Sequence, residues 1–150
     1  MLRAQLAAER QRLRDVAAQL AAVRAMVGDR DPSVVELMAA AGFLHNVYNG
    51  IENCLLRIAH AVDESVPTGN DSHRVLLDQM SAPIQAIRPA LVDRELAPQL
   101  DEMRRFRHAF RHMYFFDLDW QRLRPLSDHS SALVERFEQA IESFLSTLGA

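Results

Sequence analysis

Residues 104–114 read Arg-Arg-Phe-Arg-His-Ala-Phe-Arg-His-Met-Tyr, four arginines, two histidines and a tyrosine with no acid among them. On a helical wheel of about 100° per residue, Met103, Phe106, Phe110 and Met113 share an apolar face. Arg104, Arg107, Arg111 and Tyr114 form a second stripe, with His108 and His112 beside it. The apolar face would dock the helix and leave the Arg/His surface outward. Three readings stand open. The surface can be a solvated basic face. His108 and His112, at i and i+4, can bind a metal, although zinc wants further ligands and the flanking cations oppose one. Or it can act on a phosphodiester. A guanidinium matches phosphate oxygens with a planar fork, and a neutral imidazole takes a proton from an attacking hydroxyl. RNA carries that hydroxyl as its own 2′-OH, so such a reaction needs a base and a stabiliser for the phosphorane charge, but no metal.

Arg107 and His112 are the two groups this third chemistry requires. On an ideal helix they stand about 140° apart. They converge only if the helix is distorted here, or if a two-fold axis brings a second copy alongside and builds a composite cleft.

The elements that position these residues are helical. Leu6, Leu13, Leu20 and Val27 recur every seven residues over 2–27, with Val16 and Val23 between them, giving a bundle helix. Gly28 suits its C-terminal cap, and Ser33 with Glu36 has the form of a capping box for the next helix. From Val34 to Val62, apolar residues alternate spacings of three and four, which predicts a helix of about eight turns. Gly42 and Gly50 in it suggest close approach of a neighbour. Residues 65–72 form a loop. Ser72 can cap a short helix with Leu76, Leu77 and Met80 that ends near Pro83. Pro89 can open a helix running from about 90 to 114, with a bend near Pro98. Asp117–Pro125 then connects to a final helix capped by Asp128 and faced with Leu133, Phe137, Ile141, Phe144 and Leu148. The expected fold class is all-α, an up-and-down bundle of four long helices plus one short one, with residues 1–150 as a single domain.

Composition narrows the function. All 17 basic residues are arginine, so no lysine chemistry is on offer, and the net charge of −3 excludes a generally basic nucleic-acid-coating protein. The single cysteine, Cys54, rules out a disulfide framework and reads as a buried thiol. No apolar run approaches the roughly 18 residues of a membrane span, and no signal peptide is visible, so the expectation is a soluble, cytoplasmic chain without membrane association.

Other polar residues are weaker signals. His45, Asn49 and Glu52 share one stripe of the second helix, where Glu52 can anchor an arginine of the 104–114 segment or simply form a polar edge. His73 can touch RNA or a partner, or sit as a surface residue near a helix start. Tyr48 falls in the apolar seam. Phe115, Phe116 and Trp120 can offer stacking faces to a base, although core or interface packing is the expectation. Arg3, Arg10, Arg12 and Arg14 give the first helix a basic, solvated side that can also position a nucleic acid.

Arg107-His108-Ala109-Phe110-Arg111-His112-Met113-Tyr114 resembles the R-polar-x-x-x-H-x-Y signature of HepT-like toxins, all-α ribonucleases of the HEPN superfamily. Tyr48 with Glu52, Ser72-His73-Arg74 with Leu76, Leu77 and Met80, and Arg88-Pro89 extend the likeness over roughly residues 44–125. His108 stands where the family usually has Asn. The resemblance implies a HEPN-like fold and the toxin of a type VII-like toxin–antitoxin pair. It implies a cytoplasmic, homodimeric, metal- and cofactor-independent endoribonuclease acting on tRNA or mRNA at a dimer-interface cleft. Arg107 and His112 would be the catalytic pair, supported by His108, Arg111, Arg104, Glu52 and His73. Tyr114 would be the residue that a minimal nucleotidyltransferase antitoxin modifies with AMP. The same resemblance leaves two alternatives: a non-catalytic HEPN interaction module, and a substrate-binding domain partnering a nucleotidyltransferase.

Overall fold

In the computed structural model, which describes residues 1–149, five α-helices build an up-and-down bundle: α1 Leu2–Val27, α2 Val34–Ile58, α3 Ser72–Ser81, α4 Leu96–Phe110 and α5 Trp120–Thr147. Among the described residues there is no strand, only an isolated antiparallel bridge between Ile84 and Arg88. One apolar core runs through all five helices, from Leu6 and Leu13 through Leu44, Ile51 and Leu77 to Leu100, Phe137 and Phe144.

The first half folds as its pattern dictates. The heptad leucines of α1 and Val27 are buried, and the Gly28 N–H closes the helix on the Arg24 carbonyl with φ +58°. Ser33 and Glu36 form the expected capping box. α2 lies antiparallel to α1, with Leu13 against Gly50 and Glu9 bonded to Arg57. A Cβ at Gly50 would stand 3.1 Å from Leu13 Cδ1, so this glycine does mark the close approach, whereas nothing lies near Gly42. α2 carries the seam buried from Ala41 to Ile58, with Leu37 half-buried and Val34 exposed at its first turn. Tyr48 and Cys54 lie in the core as expected. Burial pushes the Tyr48 phenol up and the Cys54 thiol up to about 12.

α2 does not stop cleanly. It widens into a π-helical turn over Ala59–Asp63, which turns Asp63 inward. There the Asp63 carboxylate meets Arg88 through two hydrogen bonds of 2.6 and 2.7 Å, with both side chains fully buried. This ion pair pins the stretch after α3.

The second half departs from expectation at three boundaries. α4 begins at Leu96 and not near 90, because residues 84–95 are irregular: Ala86 takes φ +66° and the Asp93 carboxylate accepts from the N–H groups of Glu95 and Leu96. Pro98 falls in the first turn, where its missing N–H leaves no bond unmade. α4 ends at Phe110 and not at 114. α5 starts at Trp120, capped by Asp119 rather than Asp128, and carries Pro125 inside the helix. Among the described residues, no helix is long and apolar enough to cross a membrane.

Candidate nucleic-acid site at the end of α4

The early end of α4 decides how the Arg/His segment is displayed. Arg107 and His108 occupy its last turn, Arg111 is its C-cap, and His112 stands in the turn beyond. Tyr114 is extended and opens a 3₁₀ turn, Phe115–Asp117. The single stripe expected from the wheel is therefore broken after Arg111. A helix terminus therefore falls between Arg107 and His112, one of the two conditions for their convergence.

Arg107 crosses from α4 to two other helices. Its Nε–H donates to Asn49 Oδ1 on α2 at 2.8 Å, and its Nη1 lies 3.3 Å from His73 Nε2 on α3. His73 in turn places Nδ1 2.7 Å from Glu52 Oε1. With the Glu52 carboxylate accepting from Nδ1–H, His73 Nε2 is left as an acceptor facing Arg107. Glu52 thus does not anchor an arginine directly, as expected from its stripe on α2. His73 stands between them and is neither a free surface residue nor a simple helix-start residue. The positioning residue that sequence reasoning underrated is Asn49. Its place one helical turn from both His45 and Glu52 was the available signal.

Counting donors shows what remains. A guanidinium carries five N–H groups. Asn49 and His73 take one at Nε and one at Nη1, so one Nη1–H and both Nη2–H groups have no partner among the described residues. Neither bonded partner is a carboxylate, so the charge of Arg107 is not neutralised by a direct pair. Behind it, Asn49 lies 3.4 Å from His45 Nδ1, and the His45 ring packs on Phe110. Burial, together with the charges of Arg107 and Arg111, holds the His45 imidazole below its usual range, so it is neutral at pH 7.

A cavity of about 200 Å³ opens beside Arg107, lined also by Asn70, Asp71, His73, Arg74, Arg104 and His108. Of these arginines, Arg104 is paired with Asp101 and Arg74 with Asp71. Arg111, His112 and Tyr114 do not line it. The structure therefore joins Asn49, Arg107, His73 and Glu52 in one hydrogen-bonded chain, places Arg104 and His108 on the adjoining cavity, and sets His112 and Tyr114 on the exposed turn that follows. His108 and His112 approach each other, with ring centroids 6.2 Å apart and nearly perpendicular planes. Among the described residues, no three His, Cys, Asp or Glu side chains gather as a metal site.

The aromatic run after His112 is more exposed than expected. Tyr114 and Phe116 are about 70% and 69% accessible, and Phe115 is 48%. Trp120 alone packs on the core, with the Arg24 guanidinium 5.4 Å over its ring.

The all-α bundle is HEPN-like in architecture. The family model of HepT-like proteins matches residues 39–148, from within α2 to the end of the last helix, and the chain belongs to that family. Neither a curated protein nor a solved structure matches it.

Proposed function

We propose that the chain is the toxin of a HepT-like toxin–antitoxin pair, a metal-independent endoribonuclease whose cleft is shared between two copies. The observation that carries the reading is Arg107, held by Asn49 and His73, with three N–H groups unbonded and no carboxylate on it among the described residues. Such a group is suited to a dianionic phosphorane, whose charge exceeds that of the ground-state phosphodiester. His112 takes the proton of the ribose 2′-OH as its oxygen attacks phosphorus. The bond from phosphorus to the 5′-oxygen breaks, and His108 supplies that oxygen with a proton. The products are a 2′,3′-cyclic phosphate and a 5′-hydroxyl. Arg111 and Arg104 orient the flanking backbone. Cleavage of bulk tRNA and mRNA in EDTA by the wild type, and its loss in His112→Ala, is the expected result. Equal cleavage by both overturns the mechanism.

The partner that fits this reading is a minimal nucleotidyltransferase antitoxin. It would place AMP on the exposed Tyr114 hydroxyl, beside Arg111, where phosphate would compete with the RNA backbone. Co-expression followed by intact-mass measurement should show an AMP adduct that Tyr114→Phe loses.

One observation favours a second reading, a non-catalytic interaction module: within one chain His112 does not line the cavity beside Arg107. Mixing inactive Arg107→Met and His112→Ala proteins separates the two. A shared cleft restores about a quarter of wild-type activity, since half of randomly mixed dimers carry one intact composite site. Growth unaffected by expression without any antitoxin favours the module.

A further inference from the structure

The exposed rings that follow His112 are ordered. The Tyr114 N–H donates to Asp117 Oδ2 at 3.1 Å, and the Asp117 N–H donates back to the Tyr114 carbonyl at 3.0 Å, which fixes the turn from both ends. Leu118, just beyond, packs on the core and anchors it. Within this turn the Tyr114 and Phe116 planes lie 9° apart with centroids at 5.3 Å, and Phe115 meets Phe116 edge-on at 5.4 Å. Two aromatic faces are thus set nearly parallel and left largely open, on a backbone that cannot easily collapse them inward. On the N-terminal side stands Arg111, exposed and without an ion pair among the described residues, and then Arg107 with its unbonded N–H groups. Open π-faces next to unneutralised guanidinium groups complement a chain of alternating bases and phosphates.

We propose that Tyr114 and Phe116 form a stacking platform for a nucleobase of single-stranded RNA. The inference rests on the ribonuclease reading and adds its substrate class. A base inside a duplex has its faces covered and cannot stack there. A base in a loop or an unpaired strand can, whatever its identity, so the platform selects for strandedness rather than sequence.

The test uses the full chain carrying His112→Ala, so that RNA is bound and not cut, with a fluorescein-labelled unstructured oligonucleotide read by anisotropy. Phe116→Leu keeps the apolar bulk and removes the ring, and should weaken single-strand binding roughly 5- to 100-fold. Phe116→Tyr should bind like its parent, and the same strand annealed into a duplex should bind all three proteins equally and weakly. Unchanged single-strand binding by Phe116→Leu overturns the proposal. So does conversion of the Phe116→Leu protein from dimer to monomer in sedimentation, which makes the rings a contact between copies. Ring-dependent single-strand binding by a protein whose wild type never cleaves RNA sinks the ribonuclease reading alone and leaves the platform standing.

Discussion

Two arginines of this chain bridge helices and loops in opposite ways. Arg88 is fully buried. All five of its N–H groups are used, two on the Asp63 carboxylate and the others on the carbonyls of Ala82, Pro89 and Gln79. Arg107 is held across α4, α2 and α3 by an amide oxygen and an imidazole nitrogen, and keeps three N–H groups open. The first arginine is neutralised and serves the fold. The second is oriented without a bonded counter-charge, which leaves its field available to an anion that is not part of the protein. Burial and partner type both separate the two: Arg88 is buried on a carboxylate, whereas Arg107 is half-buried on neutral partners, as the proposed role requires.

This contrast can be broken by experiment. Arg88→Met should cost about 3–5 kcal/mol in denaturant unfolding, because Asp63 is left as a buried charge without its partner. Arg107→Met should shift the same curve by no more than about 1 kcal/mol while reducing RNA cleavage about 10²–10³-fold. If Arg107→Met unfolds the protein as Arg88→Met does, Arg107 is a fold residue and the distinction falls.

Positioning should be a smaller effect. His73→Ala removes an acceptor worth about 1 kcal/mol, so kcat should fall roughly fivefold, and His73→Gln, which can offer an oxygen in its place, should recover part of it. A rise in KM with kcat unchanged would instead make His73 an RNA contact.

The smallest effect is on pH. The His45 imidazole in the folded chain is held below its usual range by burial and by Arg107 and Arg111. The unfolded chain therefore binds the proton first, and stability falls as pH drops from about 6.5 towards the lowered folded value. The urea midpoint should move down between pH 7 and 5, and His45→Gln should flatten that slope.

Much of the fold was legible where repeat and cap coincide. The heptad of α1, the Gly28 cap and the Ser33/Glu36 box needed no tertiary information. The second half did not read as well because its boundaries are set by side chains rather than by Pro or Gly. Asp93 and Asp119 cap α4 and α5. Pro89 and Pro125, the louder signals, stand outside a helix and within one. For the site, Arg107, His108 and Arg104 were legible from composition, and the polar stripe of α2 from its period. That His73 would reach over to Glu52 was not, because this contact depends on where the loop at 64–71 returns the chain. Exposure of Phe115 and Phe116 runs against their hydrophobicity, and only the ended helix reveals it.

Cys54 gives the molecule a built-in clock. Its thiol lies in the core of α2 and is pushed up to about 12, so at neutral pH it is both shielded and almost wholly protonated. A thiol reagent can therefore mark this chain only when the bundle around α2 opens. The rate of that single covalent event reports how often the core breathes, without any engineered probe. Because Cys54 lies on the helix that carries Asn49 and Glu52, RNA that tightens on Arg107 should slow that clock.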